Sequence, residues 1–352
     1  MAFPTFRAMG ALLALSAVAG CRTAKSPGAM EPRTGDEIVA AGQFFHTGTR
    51  VVLWMDPGGY DAYRVERRFG PIDQSHWNNL IAGSGALGTP NRYDLRQALL
   101  TPEETERVRG GGWDLPLLQR VVDQFVIHYD VCGTSRQCFK ILQDSRDLSV
   151  HFMLDLDGTI YQTLDLKEQA RHASIANPRS VGVEIANMGA YEAQAQAPLA
   201  EWYKRDTNGQ VRINIPARFG DGGIRNKGFI GHPMRTEEVS GVIQGKALVQ
   251  YDFTPQQYEA LIRLTAALCR IFPRLKCDYP KDVNGRLIPQ KLSDEELKNY
   301  HGVLGHYHIQ TDKVDPGPAL QWEYVISNAR RLMNGQGASP VVGGSKGAVR
   351  LQ

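Results

Sequence analysis

The stretch Val303–Leu320, VLGHYHIQTDKVDPGPAL, places two imidazoles, two carboxylates and an amine within ten positions: His306, His308, Asp312, Lys313 and Asp315. Pro316-Gly317-Pro318 then closes it. Proline, glycine and aspartate are turn residues, so a polar surface turn is one reading. The other is half of a metal site with a catalytic cation beside it. The order of elements around the stretch decides between them.

Upstream, VVDQFVIHYD predicts a strand from Val121 to Tyr129, apolar and β-branched as a strand buried on both faces should be. His128 stands near its C-terminal end; a lone histidine there is by default a satisfied core residue. In SVHFMLDLDGTIYQTL, Asp157-Gly158 between two alternating runs predicts a hairpin. Ser180 to Asn187 reads as a further strand. Val181, Val183 and Ile185 fall on one face; Gly182, Glu184 and Ala186 fall on the other. Glu184 is thus a mid-strand carboxylate among small residues, where charge is rarely placed without a partner.

FTPQQYEALIRLTAALCRIFPRL predicts an amphipathic helix. Thr254 caps it, Pro255 takes the first turn, and Gln257 completes a capping box. Phe253 and Tyr258 are spaced as a hydrophobic staple. HGVLGHYHI reads as another strand ending at a loop, and a last helix is expected to start near Pro318.

Before this core, residues 37–118 read as an accessory region of unknown role. RVVLWMDPGGYDAYRV suggests two strands around a Pro-Gly-Gly turn, and TPEETERVRGGGW a capped helix that stops at glycines. Residues 190–250 form a long insertion with a hairpin and a loop. It is read as a wall of a substrate groove or as a surface excursion.

Residues 1–20 read as a signal peptide: an early Arg7, then an apolar run too short to span a bilayer, ending in small residues. The ending Val18-Ala19-Gly20-Cys21 resembles the lipobox of bacterial lipoproteins, which makes Cys21 the lipidation site and the new N-terminus. Residues 21–36 are then a tether and residues 336–352 a Gly/Ser-rich, disordered tail. The expected location is that of an exported lipoprotein, membrane-anchored on the periplasmic side at the outer membrane.

The other cysteines, Cys132, Cys138, Cys269 and Cys277, form two short-range pairs. Outside the cytosol an even number reads as two disulfides. Buried free thiols are the alternative, while a cysteine-type zinc site would need closer spacing. The net charge of +3 is small and no basic tract occurs, so nucleic acid is not an expected partner.

The blocks FVIHYD, VHFMLDLDGTIYQ, RHAS…NPRSVGVEIANMG, FTPQQYEALIRLTAAL and GHYHIQTDKVDPGPA, in that order, resemble successive blocks of the zinc-dependent N-acetylmuramoyl-L-alanine amidases of type 2. That class includes the peptidoglycan recognition proteins. The resemblance covers about residues 119–335. No single block is decisive; five in order are specific.

The resemblance implies an α/β fold: a central mixed β-sheet flanked by helices, with Zn2+ in a groove over the sheet. It implies His128, His306 and Asp315 as the metal ligands, with one zinc per chain and a fourth position left for water. His308 is the alternative to His306, which follows Gly305 as the family pattern does. It further implies Glu184 as general base and Lys313 as the cation that stabilises the oxyanion. His172 matches a residue near the substrate, and His151 one behind the ligands. His308 and Asp312 are expected to be exposed. Some members carry a tyrosine where this chain has Val150. CGTSRQC resembles a short disulfide loop of the recognition proteins, in line with a Cys132–Cys138 bond. The implied partner is peptidoglycan or a muropeptide. Three functions fit: a lipid-anchored amidase, a non-catalytic peptidoglycan-binding module, or a zinc peptidase of the stem peptide.

Overall fold

The computed structural model describes residues 26–63 and 92–337. Residues 26–33 belong to a separate short unit that carries a turn closed by Ala29 N–H on the Ser26 carbonyl, 3.0 Å. Cys21 and the signal segment lie outside the described residues, as does the tail from 338.

From Thr34 onward the chain is one unit. Its centre is a six-stranded mixed sheet. In spatial order the strands are Gly302–Gly305, Gln124–Tyr129, Ser180–Ile185, Phe152–Leu154, Ile160–Gln162 and Val51–Leu53. All neighbours run parallel except the hairpin partners Phe152–Leu154 and Ile160–Gln162, which are antiparallel about Asp157-Gly158. Val51–Leu53, from the segment expected to be accessory, is therefore the edge strand of the central sheet.

Alternation divides the two faces. Phe125, Ile127, Val181, Val183, Ile185 and Val303 join the main core under the helices Pro255–Ile271 and Trp322–Met333. The opposite face carries His128 and Glu184, which are direct register partners on adjacent parallel strands. Their side chains therefore leave the sheet side by side.

The helix Pro255–Ile271 starts as its sequence requires. Thr254 accepts from Gln257 N–H at 3.0 Å, and the Gln257 side chain accepts from Thr254 N–H at 2.9 Å. Such a cap is worth about 1 kcal/mol. It also serves the site, since Gln257 Nε2 donates to the Ala186 carbonyl at 2.7 Å, two residues beyond Glu184. The Phe253 and Tyr258 rings meet at 5.9 Å. The helix Pro102–Arg109 is likewise capped by Thr101 and Glu104.

Several expected boundaries move. Val121 ends the helix Leu115–Val121, and the strand begins at Gln124. Asp114 caps that helix, so the apolar run is split between two elements. The last helix begins at Trp322 rather than near Pro318. The expected second strand after the Pro-Gly-Gly turn does not form through Tyr63. Tyr60 instead stacks on Tyr161 at 4.2 Å and on Phe139 at 5.2 Å. The rest of that stretch lies outside the described residues.

The insertion forms the hairpin Tyr203–Arg205 with Val211–Ile213, and a three-stranded sheet of Ala190–Tyr191, Lys246–Gln250 and Val239–Ile243. The second of these grips the stretch Val303–Leu320. Gln244 Nε2 donates to the Tyr307 and Gln310 carbonyls at 2.8 and 2.9 Å. Gln250 donates to the Pro316 carbonyl at 3.2 Å and accepts from Ala319 N–H at 2.9 Å.

Candidate metal centre

Three ring and carboxylate atoms converge above the C-terminal ends of the parallel strands, where open α/β sheets place their ligands. His128 Nδ1 lies 3.0 Å from His306 Nδ1 and 2.9 Å from Asp315 Oδ2, and His306 Nδ1 lies 3.0 Å from Asp315 Oδ2. All three residues are buried. His128 comes from its strand, His306 from the turn just after the Gly302–Gly305 strand, and Asp315 from the far end of that loop. Gly305 permits this return: a Cβ there would stand 2.7 Å from Pro316 Cδ.

The remaining nitrogens are already engaged. His128 Nε2 faces His172 Nδ1 at 3.0 Å, and His172 Nε2 faces Ser180 Oγ at 3.2 Å. His306 Nε2 faces Gln310 Oε1 at 2.8 Å. Each imidazole thus turns Nδ1 inward and has a partner for its outer nitrogen. That is the arrangement that orients histidine ligands on a metal. Two nitrogens and one carboxylate oxygen also form a donor set suited to zinc, with room for a further ligand. The residues fit the ion.

The electrostatics agree. Burial lowers the His128 imidazole to about 4, helped by His306, so it is neutral near pH 7 as a ligand must be. Burial works against the Asp315 carboxylate, yet His306 and His128 hold it well below the usual carboxylate range.

Glu184 stands beside this set. Its Oε2 is sealed from solvent and has no hydrogen-bond partner among the described residues. Burial raises its carboxyl well above the ordinary value, and the charges of Asp315 and Asp130 push the same way. Such a carboxyl is poised to exchange a proton rather than to stabilise the fold. Lys313 is about one third exposed, with Nζ 3.4 Å from Asp312 Oδ2, and its charge reaches His128. Asp312 is exposed, as expected.

His308 is not the exposed loop residue expected. It is fully buried: Nδ1 accepts from Gly305 N–H at 2.8 Å and Nε2 donates to the Ile288 carbonyl at 2.8 Å. The short 3-10 turn His306–His308 points it into the core, behind the Gly305 backbone. Both ring nitrogens are used, so it cannot replace His306 as ligand.

His151 is buried behind the site. Its Nδ1 accepts from Gly182 N–H at 3.1 Å and its Nε2 faces the Glu168 carbonyl at 3.0 Å. Gly182 itself matters: a Cβ there would lie 2.5 Å from His172 Nδ1. Only a bare backbone lets the His172 ring lie against the strand. Ser180, Gln310 and Gly182 were not singled out from the sequence. Serine, glutamine and glycine carry no spacing signal there.

The four cysteines expected to form two disulfides carry no S–S bond in this structure. They are nonetheless brought together as two pairs. The Cys132 and Cys138 sulfurs lie within 4.8 Å of each other, and the Cys269 and Cys277 side chains are neighbours. A cavity of about 600 Å³ opens between the Cys132 turn and the insertion, lined in part by Tyr191, Trp202, Arg218 and Phe219. It does not include His128, His306 or Asp315.

The mixed sheet thus carries at its strand ends a His-His-Asp cluster that could hold a metal ion, with the Glu184 carboxyl beside it. The family model described as N-acetylmuramoyl-L-alanine amidase, type 2, matches residues 118–318, more than half of the chain. The chain belongs to that family. Among solved structures it is similar to AmpD, at 15% identity and TM-score 0.31 over 68% of this chain and 89% of that one. It is similar to an endolysin amidase of Clostridium intestinale, at 15% identity and TM-score 0.32 over 60% and 86%. It is also similar to E. coli AmiD, solved with anhydro-N-acetylmuramic acid-L-Ala-D-gamma-Glu-L-Lys, at 18% identity and TM-score 0.31 over 63% and 60%. None of the curated proteins matches.

Proposed function

We propose that this protein is a lipid-anchored zinc amidase of peptidoglycan, hydrolysing the amide between N-acetylmuramic acid and L-alanine. The observation that carries the reading is the convergence of His128 Nδ1, His306 Nδ1 and Asp315 Oδ2 beside Glu184, whose Oε2 has no hydrogen-bond partner among the described residues.

His128, His306 and Asp315 would hold a zinc ion, which would supply Lewis acidity toward a water and the scissile carbonyl. Glu184 takes a proton from the attacking water. The water oxygen bonds to the acyl carbon, the C–N bond breaks, and Glu184 returns the proton to the leaving amine. Lys313 offers its charge to the carbonyl oxygen as negative charge develops there. His172 and Gln310 hold the two imidazoles in one tautomer and orientation.

The test is digestion of purified peptidoglycan followed by mass analysis. Stem peptides with free L-Ala amino termini are expected. Cuts between amino acids would make the protein a peptidase instead. Intact material in the presence of zinc would make it a binding module.

The anchor and the disulfides belong to the same reading. Cys21 is proposed as the lipidated N-terminus, and Cys132–Cys138 and Cys269–Cys277 as disulfides of the exported form. Each bond would close a short loop, worth about 2–3 kcal/mol. Non-reducing peptide mapping of membrane-extracted protein is expected to find an acylated Cys21 and both bonds. Four free thiols, or an unmodified residue 21, would refute the corresponding assignment.

A further inference from the structure

The geometry points to Arg96 as a positioning residue for the His172–His128 pair, supplied by a segment that lies before the family-matched residues. Arg96 is fully buried, and no ion pair joins it to a carboxylate among the described residues. Its guanidinium meets main-chain carbonyls between residues 166 and 180 and, through one terminal nitrogen, lies 3.0 Å from His151 Nε2. Nε donates to Leu166 O at 3.1 Å, one terminal nitrogen to Asn177 O and Pro178 O at 3.1 and 3.0 Å, and the other to Ser180 O at 2.8 Å. A planar fork of five N–H donors suits such a convergence, and no other side chain offers one.

Two of the carbonyls it holds belong to residues that hold His172. Asn177 Oδ1 accepts from the His172 and Ala173 N–H groups at 3.1 and 2.6 Å, fixing the His172 backbone. Ser180 Oγ meets His172 Nε2 at 3.2 Å, fixing its ring. Arg96 grips the backbone of both. His172 Nδ1 in turn meets His128 Nε2 at 3.0 Å. The path from Arg96 to the proposed metal ligand therefore runs through Asn177 and Ser180 to His172, and from there to His128.

The surrounding segment is built for the same grip. Tyr93–Leu95 pairs antiparallel with Glu168–Ala170. Asp94 holds Arg171, the residue before His172, by two bonds of 2.8 Å. The residues before 118 are thus part of the apparatus that aims His128, not an appendage to it.

The inference rests on His128 being a metal ligand, and its test has an arm that does not. The first arm is long-range proton–nitrogen NMR of metal-free, histidine-labelled full-length protein. Wild type is expected to show His172 as one tautomer, and Arg96→Lys to show it averaged between two. The second arm is cobalt(II) binding followed by its visible spectrum. Arg96→Lys is expected to weaken binding by about 10- to 100-fold, as loss of a group supporting a ligand does. In a His172→Ala background the same substitution should change cobalt affinity less than about 2-fold, because the path is already cut. A folded Arg96→Lys protein with the wild-type tautomer and cobalt affinity overturns the proposal, as does full additivity with His172→Ala. Should Arg96→Lys fail to fold, Asn177→Ala together with Ser180→Ala cuts the same path at both branches while leaving the Arg96 carbonyl bonds in place. It must then reproduce both shifts, and wild-type behaviour there overturns the proposal. Absence of cobalt binding by wild type would strike the metal reading alone.

Discussion

Asp315→Ala is expected to purify with almost no zinc and to lose muropeptide hydrolysis. Asp315 Oδ2 lies 2.9 and 3.0 Å from the two inward-facing imidazole nitrogens, and it is the anionic member of the set. Without it a divalent cation would meet two neutral rings in a buried position, with no charge to offset its lost hydration. The backbone of the loop does not depend on that side chain. Tyr307 N–H bonds the Asp315 carbonyl at 3.2 Å, and the Gln250 clamp on Pro316 and Ala319 is untouched. The variant should therefore fold. Metal analysis and turnover on one preparation check this, and a stoichiometric zinc content would show the ligand set to be wrong.

Glu184→Gln is expected to keep the fold, the zinc and the affinity for muropeptides, and to lower turnover by about 10²–10⁴, the usual worth of general acid–base catalysis. Its shape is nearly unchanged and it is not among the converging ligand atoms. A structural carboxylate in its place would need a cation or backbone donors, and Oε2 has neither among the described residues. Burial and the neighbouring Asp315 and Asp130 charges disfavour its ionised form. A neutral amide should therefore leave the melting temperature equal or raised. Wild-type turnover with a lowered melting temperature would remove Glu184 from the mechanism and leave Lys313 and the metal to carry it.

Much of this centre could be read in the chain because its parts obey local rules. His128 and Glu184 sit on strands whose apolar alternation is visible, and the Thr254 capping box announces its helix. Asp157-Gly158 marks its hairpin, and Gly305 before His306 marks the turn. Backbone sterics and nearest-neighbour hydrogen bonds decide such features within a few residues, so the sequence carries them openly. What depended on distant segments was hidden. His308 looked like a loop residue because nothing local shows that its ring packs behind Gly305 and bonds Ile288.

The sequence by itself determined the order of strands and helices, the family, and the candidate residues His128, His172, Glu184, His306, Lys313 and Asp315. Only the tertiary structure decided which nitrogen of each histidine faces inward, because that depends on His172, Gln310 and Ser180 arriving from separate elements. It also decided that Val51–Leu53 completes the sheet and that Arg96 closes around the His172 stretch. A buried guanidinium finds its carbonyls only after residues 70 to 84 positions apart have been brought together. No periodicity or turn residue in the chain records such a meeting.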